Sequence, residues 1–179
     1  VRRGDVLATP GWLQETSAID VHFRAVAILP CPIKHNLTVS VHTGSSHVMG
    51  KLRLLDMDKV EPGGWAWAQL KLVEPLVVVR GDYFVVRSSG HTVGGGKVVD
   101  PHARRHRRMH PPTVDRLVLM EQGSDSDVLL KVIESLEPTG FNEAVHGANL
   151  SPEQTQVGLQ KLVASGLVVS VGQMRTGRA

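Results

Sequence analysis

Seven short apolar runs fill the sequence between Ile19 and Asp100, and no helix-length pattern interrupts them. Apolar residues in these runs alternate with polar ones or follow one another, and β-branched and aromatic side chains are enriched, as is typical of strands. Turn signals rich in Gly, Pro and Ser separate the runs. Many short strands without intervening helices favour a closed antiparallel β-barrel. The runs are 19–28, 37–42, 48–56, 66–72, 76–79, 83–87 and 94–99.

The pattern changes after Pro112, where apolar residues from Val114 onward recur at the spacing of a helix face. Two capping boxes, each a serine followed three positions later by Asp or Gln, predict helix starts at Ser124 and Ser151. These two helices flank a short helix expected over 141–146, and a strand is expected to follow over 167–171. This order predicts a winged-helix domain with its wing at 168–175, so the fold class is mostly β plus α.

Residues 81–101, GDYFVVRSSGHTVGGGKVVDP, place three consecutive glycines on the second of two apolar runs. Gly96 and Lys97 match the end of a phosphate-binding loop, GxxxxGK[ST], but His91 stands at its first glycine and Val98 at its hydroxyl. The run continues as a strand, whereas phosphate binding uses the N-terminus of a helix. The sequence therefore predicts no nucleotide site here. It predicts a barrel strand whose glycines allow close approach of another main chain.

The formal net charge of +3 is small, but the basic residues are unevenly distributed. One interpretation of their main cluster is a solvated basic linker over 102–112. Another is contact with phosphate, because the guanidinium fork pairs with phosphate oxygens. The cluster consists of Arg104, Arg105, Arg107 and Arg108.

His102, His106 and His110 recur every four residues in the same segment. On a helix they would line one face, as imidazoles do in metal sites. The neighbouring arginines would surround an ion with like charge, and no Cys, Asp or Glu completes the set. We therefore predict no metal site.

A single cysteine, Cys31, excludes an internal disulfide and fits a reducing compartment. No apolar run approaches the roughly 20 residues that a membrane-spanning helix requires. We expect a cytoplasmic protein without a membrane partner. Trp65 and Trp67 alternate and so point to one side of their strand, which is expected to be a covered barrel face.

The stretch 62–101 resembles the third domain of translational GTPases of the elongation factor Tu type. The triple glycine before Val-Val-Asp-Pro, the basic segment and the winged-helix order are more particular, and they resemble the bacterial selenocysteine-specific elongation factors. The RxxGxTVGxGxV pattern of the last barrel strands in the wider group is matched by Arg87, Gly90, Thr92, Val93, Gly94, Gly96 and Val98.

This resemblance spans nearly the whole chain and implies its domain division. The opening VRRGDVLATPG looks like the closing strand of a preceding domain, so the chain is expected to be a fragment. The implied segments are 1–14, the end of the second barrel domain; 15–101, the third-domain barrel; 102–112, the basic linker; 113–175, the winged-helix domain; and 176–179, a tail.

The resemblance also implies a function. Such factors use GTP and magnesium in a first domain, deliver selenocysteyl-tRNA to the ribosome, and bind an mRNA hairpin through their last winged helices. Neither the phosphate loop nor the NKxD motif of that first domain occurs in this sequence. We therefore expect no catalytic residues and no cofactor in this segment, with GTP, magnesium and the mRNA contact belonging to other parts of the parent protein.

The third domain of the family packs beside the T-stem of the tRNA, which implies that the turn before the glycines is the RNA contact. His91 departs from the pattern, which often has arginine at this position. The expected RNA-binding residues are Arg87, Ser88, Ser89, Gly90 and His91 of the turn, with Arg104, Arg105, Arg107 and Arg108 of the basic segment.

A second interpretation is a winged-helix DNA-binding regulator whose barrel senses a signal or forms oligomers. The helix from Ser151 would then read the DNA. Its outward positions are poor in the Arg, Asn and Lys side chains that contact base edges. They are Glu153, Gln156, Gln160 and Lys161.

Overall fold

The computed structural model of the chain describes residues 6, 8, 13–148 and 150–171. The chain forms two compact units, Val1–Glu121 and Gln122–Ala179. The segment predicted to end a preceding barrel, 1–14, falls mostly outside the described residues, and the predicted tail at 176–179 falls entirely outside them. Within the described ranges, no helix is long and apolar enough to cross a membrane.

The strands of the first unit are β1 (Thr16–Ala25), β2 (Ile33–Lys34), β3 (Leu37–Thr43), β4 (Ser46–Leu54), β5 (Lys59–Val60), β6 (Trp65–Leu76), β7 (Tyr83–Ser88) and β8 (His91–Asp100). Six of them close an antiparallel barrel in the order β1-β6-β4-β3-β7-β8, and the two short strands, β2 and β5, pair separately. The predicted closed antiparallel barrel is confirmed.

Two details of the strand prediction differ from the structure. The run at 76–79 is not a separate strand, because Leu76 ends β6 and residues 77–79 are irregular. The pair β2 and β5 was not predicted, since strands of two residues carry no period-2 pattern. Neither difference changes the barrel.

Alternation along the strands builds the barrel core. Ile19, Val21 and Phe23 of β1 are fully buried, and Ala68 and Leu70 of β6 join the same cluster. Each large apolar side chain buried in this way contributes about 1.5–3 kcal/mol. The residues between them point to the outer side of the barrel, where Asp20 and Gln69 are buried beneath other parts of the chain.

The three glycines of β8 lie where the barrel is most crowded. A β-carbon on Gly94 would overlap the ring of Phe23, and one on Gly96 would overlap the carbonyl oxygen of His22. A β-carbon on Gly95 would lie 2.5 Å from the carbonyl oxygen of Phe84. The close backbone packing predicted from the glycine run is confirmed.

Helix α1 (Pro111–Gln122) belongs to the barrel unit through Glu121. Its Leu117 is fully buried in a cluster with Leu55, Trp67 and Val99. The compact units therefore divide later than residue 113, where the winged-helix domain was predicted to begin. The physical reason is that the apolar stripe of α1 covers the outer face of the barrel.

The second unit contains α2 (Asp125–Leu136), α3 (Phe141–Ala148) and α4 (Pro152–Ala164). Both predicted capping boxes are present, at Ser124 and Ser151. The helices bury a core that includes Leu129, Ala144 and Leu162. A barrel followed by winged-helix-like helices agrees with the predicted fold class.

The strand predicted at 167–171 is wrong, because these residues form a bend and irregular chain. Val169 and Val171 are 80% and 97% exposed, so their side chains do not pack against the helices. A wing strand also needs a partner strand, and none is found for it within the described residues. The remainder of the predicted wing, 172–175, lies outside those residues.

Candidate nucleic-acid interface

The turn between β7 and β8 is a tight hairpin. Ser88 pairs with His91 across it, which leaves Ser89 and Gly90 as its two central residues. Both have positive φ angles, 49° for Ser89 and 82° for Gly90. This left-handed pair is the signature of a type I′ turn, whose twist matches that of the flanking strands. The sequence thus builds a compact turn with small side chains at its tip.

Side-chain hydrogen bonds fix the conformation of this turn. Arg87 Nη2 donates to the carbonyl oxygen of Gly90 at 2.6 Å. Ser88 Oγ donates to the carbonyl oxygen of Thr38 on β3 at 3.2 Å. Arg87 and His91 are exposed, and a guanidinium retains further donors after one bond. The turn is therefore anchored to the barrel while it presents basic and small polar groups to solvent.

The basic segment that follows β8 is hydrogen-bonded to the barrel at several points. Arg108 donates to the carbonyl oxygens of Leu54 and Met57, both at 3.1 Å, and to the carboxylate of Asp58 at 2.6 Å. The main-chain nitrogen of Met109 donates to the carbonyl oxygen of Leu55 at 2.7 Å. Arg108 therefore has a structural role in this fold.

Asp20, on the outer side of β1, holds the middle of the same segment. Its buried carboxylate lies 2.5 Å from His106 Nε2 and accepts from Gln69 at 3.0 Å. Arg116 of α1 lies 3.4 Å from Asp20 and 3.1 Å from Asp100. Burial raises the pKa of Asp20 above its ordinary value, although the neighbouring His106 acts in the opposite direction. These ion pairs and hydrogen bonds of the buried Asp20 hold the basic segment against β1, β6 and α1.

The histidines of the segment do not converge. His106 is engaged by Asp20, and His110 Nδ1 lies 3.0 Å from the hydroxyl of Thr113. The segment is not helical, so His102, His106 and His110 do not share a helix face. In the part of the chain that the structure describes, no three His, Cys, Asp or Glu side chains are grouped to hold a metal ion.

Three arginines of the basic segment extend from this hydrogen-bonded main chain. Arg104, Arg105 and Arg107 are exposed, and within the described residues their side chains have no hydrogen-bonding or charged partner. The carbonyl oxygen of Arg104 accepts from Gln69 Nε2 at 2.8 Å, which fixes the backbone below them. The turn lies on β7 and β8 and the segment lies across β1, β6 and the end of β4, so the structure does not bring the two predicted RNA-binding groups into contact.

Residues 16–105 match the family model of the selenocysteine-specific elongation factor, beta-barrel domain, and this match covers about half of the chain. The chain belongs to the selenocysteine-specific elongation factor family. The matched region runs from β1 through all of β8 and contains the hairpin turn. The family resemblance predicted from the glycine strand is confirmed.

A selenocysteine-specific elongation factor from Desulfomicrobium baculatum is 36% identical over 132 residues. That alignment covers 73% of this chain and 21% of the relative. The chain thus spans about a fifth of the length of this curated relative. The similarity extends beyond the barrel domain that the family model matches.

The tryptophans of this family member have different environments. Trp67 is buried with Leu117 of α1, as expected for a covered face. Trp65 remains 49% exposed, so the prediction of a covered face is wrong for this residue. His22 lies against both rings, with centroids 4.5 Å from Trp67 and 4.6 Å from Trp65, and its Nδ1 lies 2.7 Å from Glu121.

Helix α4 does not resemble a duplex-reading helix of a DNA-binding regulator. One lysine is its only cation, and its first turn carries an acidic residue, Glu153. No finding favours the regulator interpretation over the elongation-factor family. The exposed residues of α4 considered for such contacts are Glu153, Gln156, Gln160 and Lys161.

Exposed cations on the strands were missed by the sequence interpretation. Arg24 and Lys97 lie on the outer face of β1 and β8 and belong to neither of the predicted RNA-binding groups. The alternation of inward and outward side chains along a strand predicts that both are exposed, because each lies between two inward-facing apolar or glycine positions.

Proposed function

We propose that this chain is part of a selenocysteine-specific, GTP-dependent translation elongation factor, and that it supplies contact with the T-stem of selenocysteyl-tRNA. The observation that carries this proposal is the anchored type I′ turn, Arg87 to His91, within the barrel domain of that family. The turn is rigid, small at its tip and flanked by basic side chains.

The chemistry of the turn suits an RNA backbone. Double-stranded RNA is recognised mainly through 2′-hydroxyls and phosphates across its wide minor groove. Ser89 and Gly90 allow the main chain to approach ribose and phosphate, and the Arg87 guanidinium can pair with a phosphate. Such contacts position an RNA helix without reading its sequence.

The exposed arginines of the basic segment form a second group of phosphate contacts. Arg104, Arg105 and Arg107 extend from a backbone that hydrogen bonds hold, so less conformational entropy is lost on binding. Arg108 acts indirectly, because its bonds to the Leu54 and Met57 carbonyls hold that backbone in place. Binding by both groups should weaken steeply as salt rises.

Other activities of the factor belong to the remainder of the parent protein. GTP and magnesium would bind in a first domain, since this sequence contains neither GxxxxGK[ST] nor NKxD. Winged helices beyond the described part would recognise the mRNA hairpin, and the ribosome and cytoplasm are the partner and compartment of such a factor. The name of the Desulfomicrobium relative supports the assignment to an elongation factor.

Binding of selenocysteine tRNA to the 179-residue chain tests the role of the turn. We expect Arg87→Gln and Gly90→Val each to weaken binding by about tenfold, because the first removes a charge and the second disfavours the positive φ at Gly90. Fluorescence anisotropy with labelled tRNA measures the affinity. Lys131→Gln on α2 is the control and should bind as the unmodified chain does.

Competition decides between the two functions considered. Unlabelled duplex DNA should displace the tRNA only at low salt, where binding is non-specific. Sequence-selective binding to duplex DNA that tRNA cannot displace would contradict the elongation-factor proposal and favour the regulator.

A further inference from the structure

Four neighbouring strands, β6, β1, β8 and β7, present two cross-strand rows of outward residues. Register places each residue of a row directly beside the next. One end of this surface passes under α1 at Trp67, and the other end is open. The first row is Trp65, Arg24, Gly95 and Val85, and the second is Trp67, His22, Lys97 and Tyr83.

Two cations on this surface rest on exposed aromatic rings. The Arg24 guanidinium carbon lies 5.3 Å from the ring centre of Trp65, and Lys97 Nζ lies 5.1 Å from the ring centre of Tyr83. An aromatic face attracts a cation without neutralising its charge. Across the described residues, neither cation has a carboxylate partner. The rings therefore orient positive charge that stays available to an anion.

A glycine separates the two cations. Gly95 pairs with Arg24 across the strands and lies two positions before Lys97 on β8. A shallow groove of about 420 Å³ lies beside Arg24, Trp65 and the three glycines of β8, and residues 25–27 complete its lining. Arg24 therefore borders an open depression next to the glycine strand.

The surface continues to the hairpin turn. Along β7 the exposed residues alternate as Tyr83, Val85 and Arg87, with Phe84 and Val86 buried between them. Arg87, which anchors the turn, consequently lies on the same face as Val85 and Gly95. The rows contain no acidic residue, and the nearby Glu121 is bound to His22.

We propose that this basic sheet face, made of Arg24, Trp65, Tyr83, Gly95 and Lys97, is a second RNA-backbone site that extends the contact made by the turn. Phosphates pair with Arg24 and Lys97, and the half-exposed Trp65 ring packs against a ribose or an unpaired base. RNA is the occupant because the face combines uncompensated positive charge with exposed rings. The inference rests on the proposed tRNA-binding function.

A charge-matched pair of variants tests the site. Arg24→Gln/Lys97→Gln removes two charges from the basic sheet face, and Lys51→Gln/Lys71→Gln removes two from exposed, paired positions on β4 and β6. Labelled selenocysteine tRNA is titrated into each full chain between 50 and 200 mM KCl. We expect the first variant to lose at least tenfold in affinity and about two from the slope of log K against log salt, roughly one for each phosphate contact. The control should keep the slope of the unmodified chain.

Two further variants distinguish the contribution of positive charge from that of stacking on Trp65. Arg24→Lys/Lys97→Arg keeps both charges and should restore the slope. Trp65→Ala should lower affinity about fivefold or more without changing the slope, since stacking is not a counterion effect. Thermal melts check that each variant is folded. If Arg24→Gln/Lys97→Gln does not fold, Arg24→Lys/Lys97→Arg is compared with the unmodified chain instead.

The outcomes distinguish this inference from the function on which it rests. Loss of affinity and slope in the Arg24/Lys97 variant alone supports the basic sheet face. If that variant matches its control while Arg87→Gln weakens binding, the face is not an RNA site and the turn still is. If the unmodified chain binds no tRNA, both proposals are wrong.

Discussion

Asp56 is a half-buried carboxylate whose ionisation opposes folding. One oxygen accepts from the main-chain nitrogen of Trp67 at 3.2 Å, and the other is buried with no hydrogen-bond partner among the described residues. Burial is the main cause that raises the pKa of Asp56 above its ordinary value. The folded state therefore holds this proton to a higher pH than the unfolded state does.

This imbalance predicts a pH-dependent effect of Asp56→Asn. A raised folded-state pKa gives stability that is complete below the unfolded pKa, about 3.9, and is lost as pH rises through the folded value. The free energy of unfolding of the variant, relative to the unmodified chain, should thus increase from pH 4 to pH 7. Urea unfolding at several pH values measures it, with Asp115→Asn, exposed on α1, as the control. A pH-independent difference would contradict this account.

Strand β8 shows what can be learned from sequence at the scale of one element. Its strand character and its crowded glycines followed from residues adjacent in the sequence. Both capping boxes of α2 and α4 were predictable for the same reason. The environment of Arg108 was not, because its partners Leu54 and Met57 lie about fifty residues away and only the fold brings them together.

The packing of β8 predicts a large effect of Gly95→Val. The new β-carbon would lie 2.5 Å from the Phe84 carbonyl oxygen, which cannot move without disturbing the β7–β8 ladder. Overpacking of this kind costs about 1–3 kcal/mol, and a main-chain obstacle places the cost at the upper end. Calorimetry should show a lower Tm, whereas Gly140→Ala should change Tm little, because the nearest atom to its β-carbon would be a Glu143 carboxylate oxygen at 3.8 Å. An unchanged Tm for Gly95→Val would exclude crowding as the reason for the glycine.

At the scale of the whole molecule, the assignment of α1 depends on contacts that no local pattern reports. Periodicity predicted a helix from Val114, and order along the chain placed it with the helices that follow. The structure instead buries Leu117 against Trp67 and Leu55, and it joins Arg116 to Asp20. An apolar helix face predicts that the helix is buried on that side, but it does not identify the surface that buries it.

The position of α1 predicts where the chain can be shortened. A chain that ends at Gln122 keeps α1 on the barrel and should unfold cooperatively. A chain that ends at Pro101 exposes Trp67 and Leu55 and removes both His106 and Arg116 from the buried Asp20, a loss of partners that costs several kcal/mol. We expect the shorter chain to aggregate or to melt at least 10 °C lower, which thermal denaturation followed by circular dichroism measures. Asp20→Asn in the shorter chain should recover part of the stability, since it removes the unpaired charge. Equal melting temperatures for the two shortened chains would show that the barrel is complete at residue 101 and that α1 only rests on it.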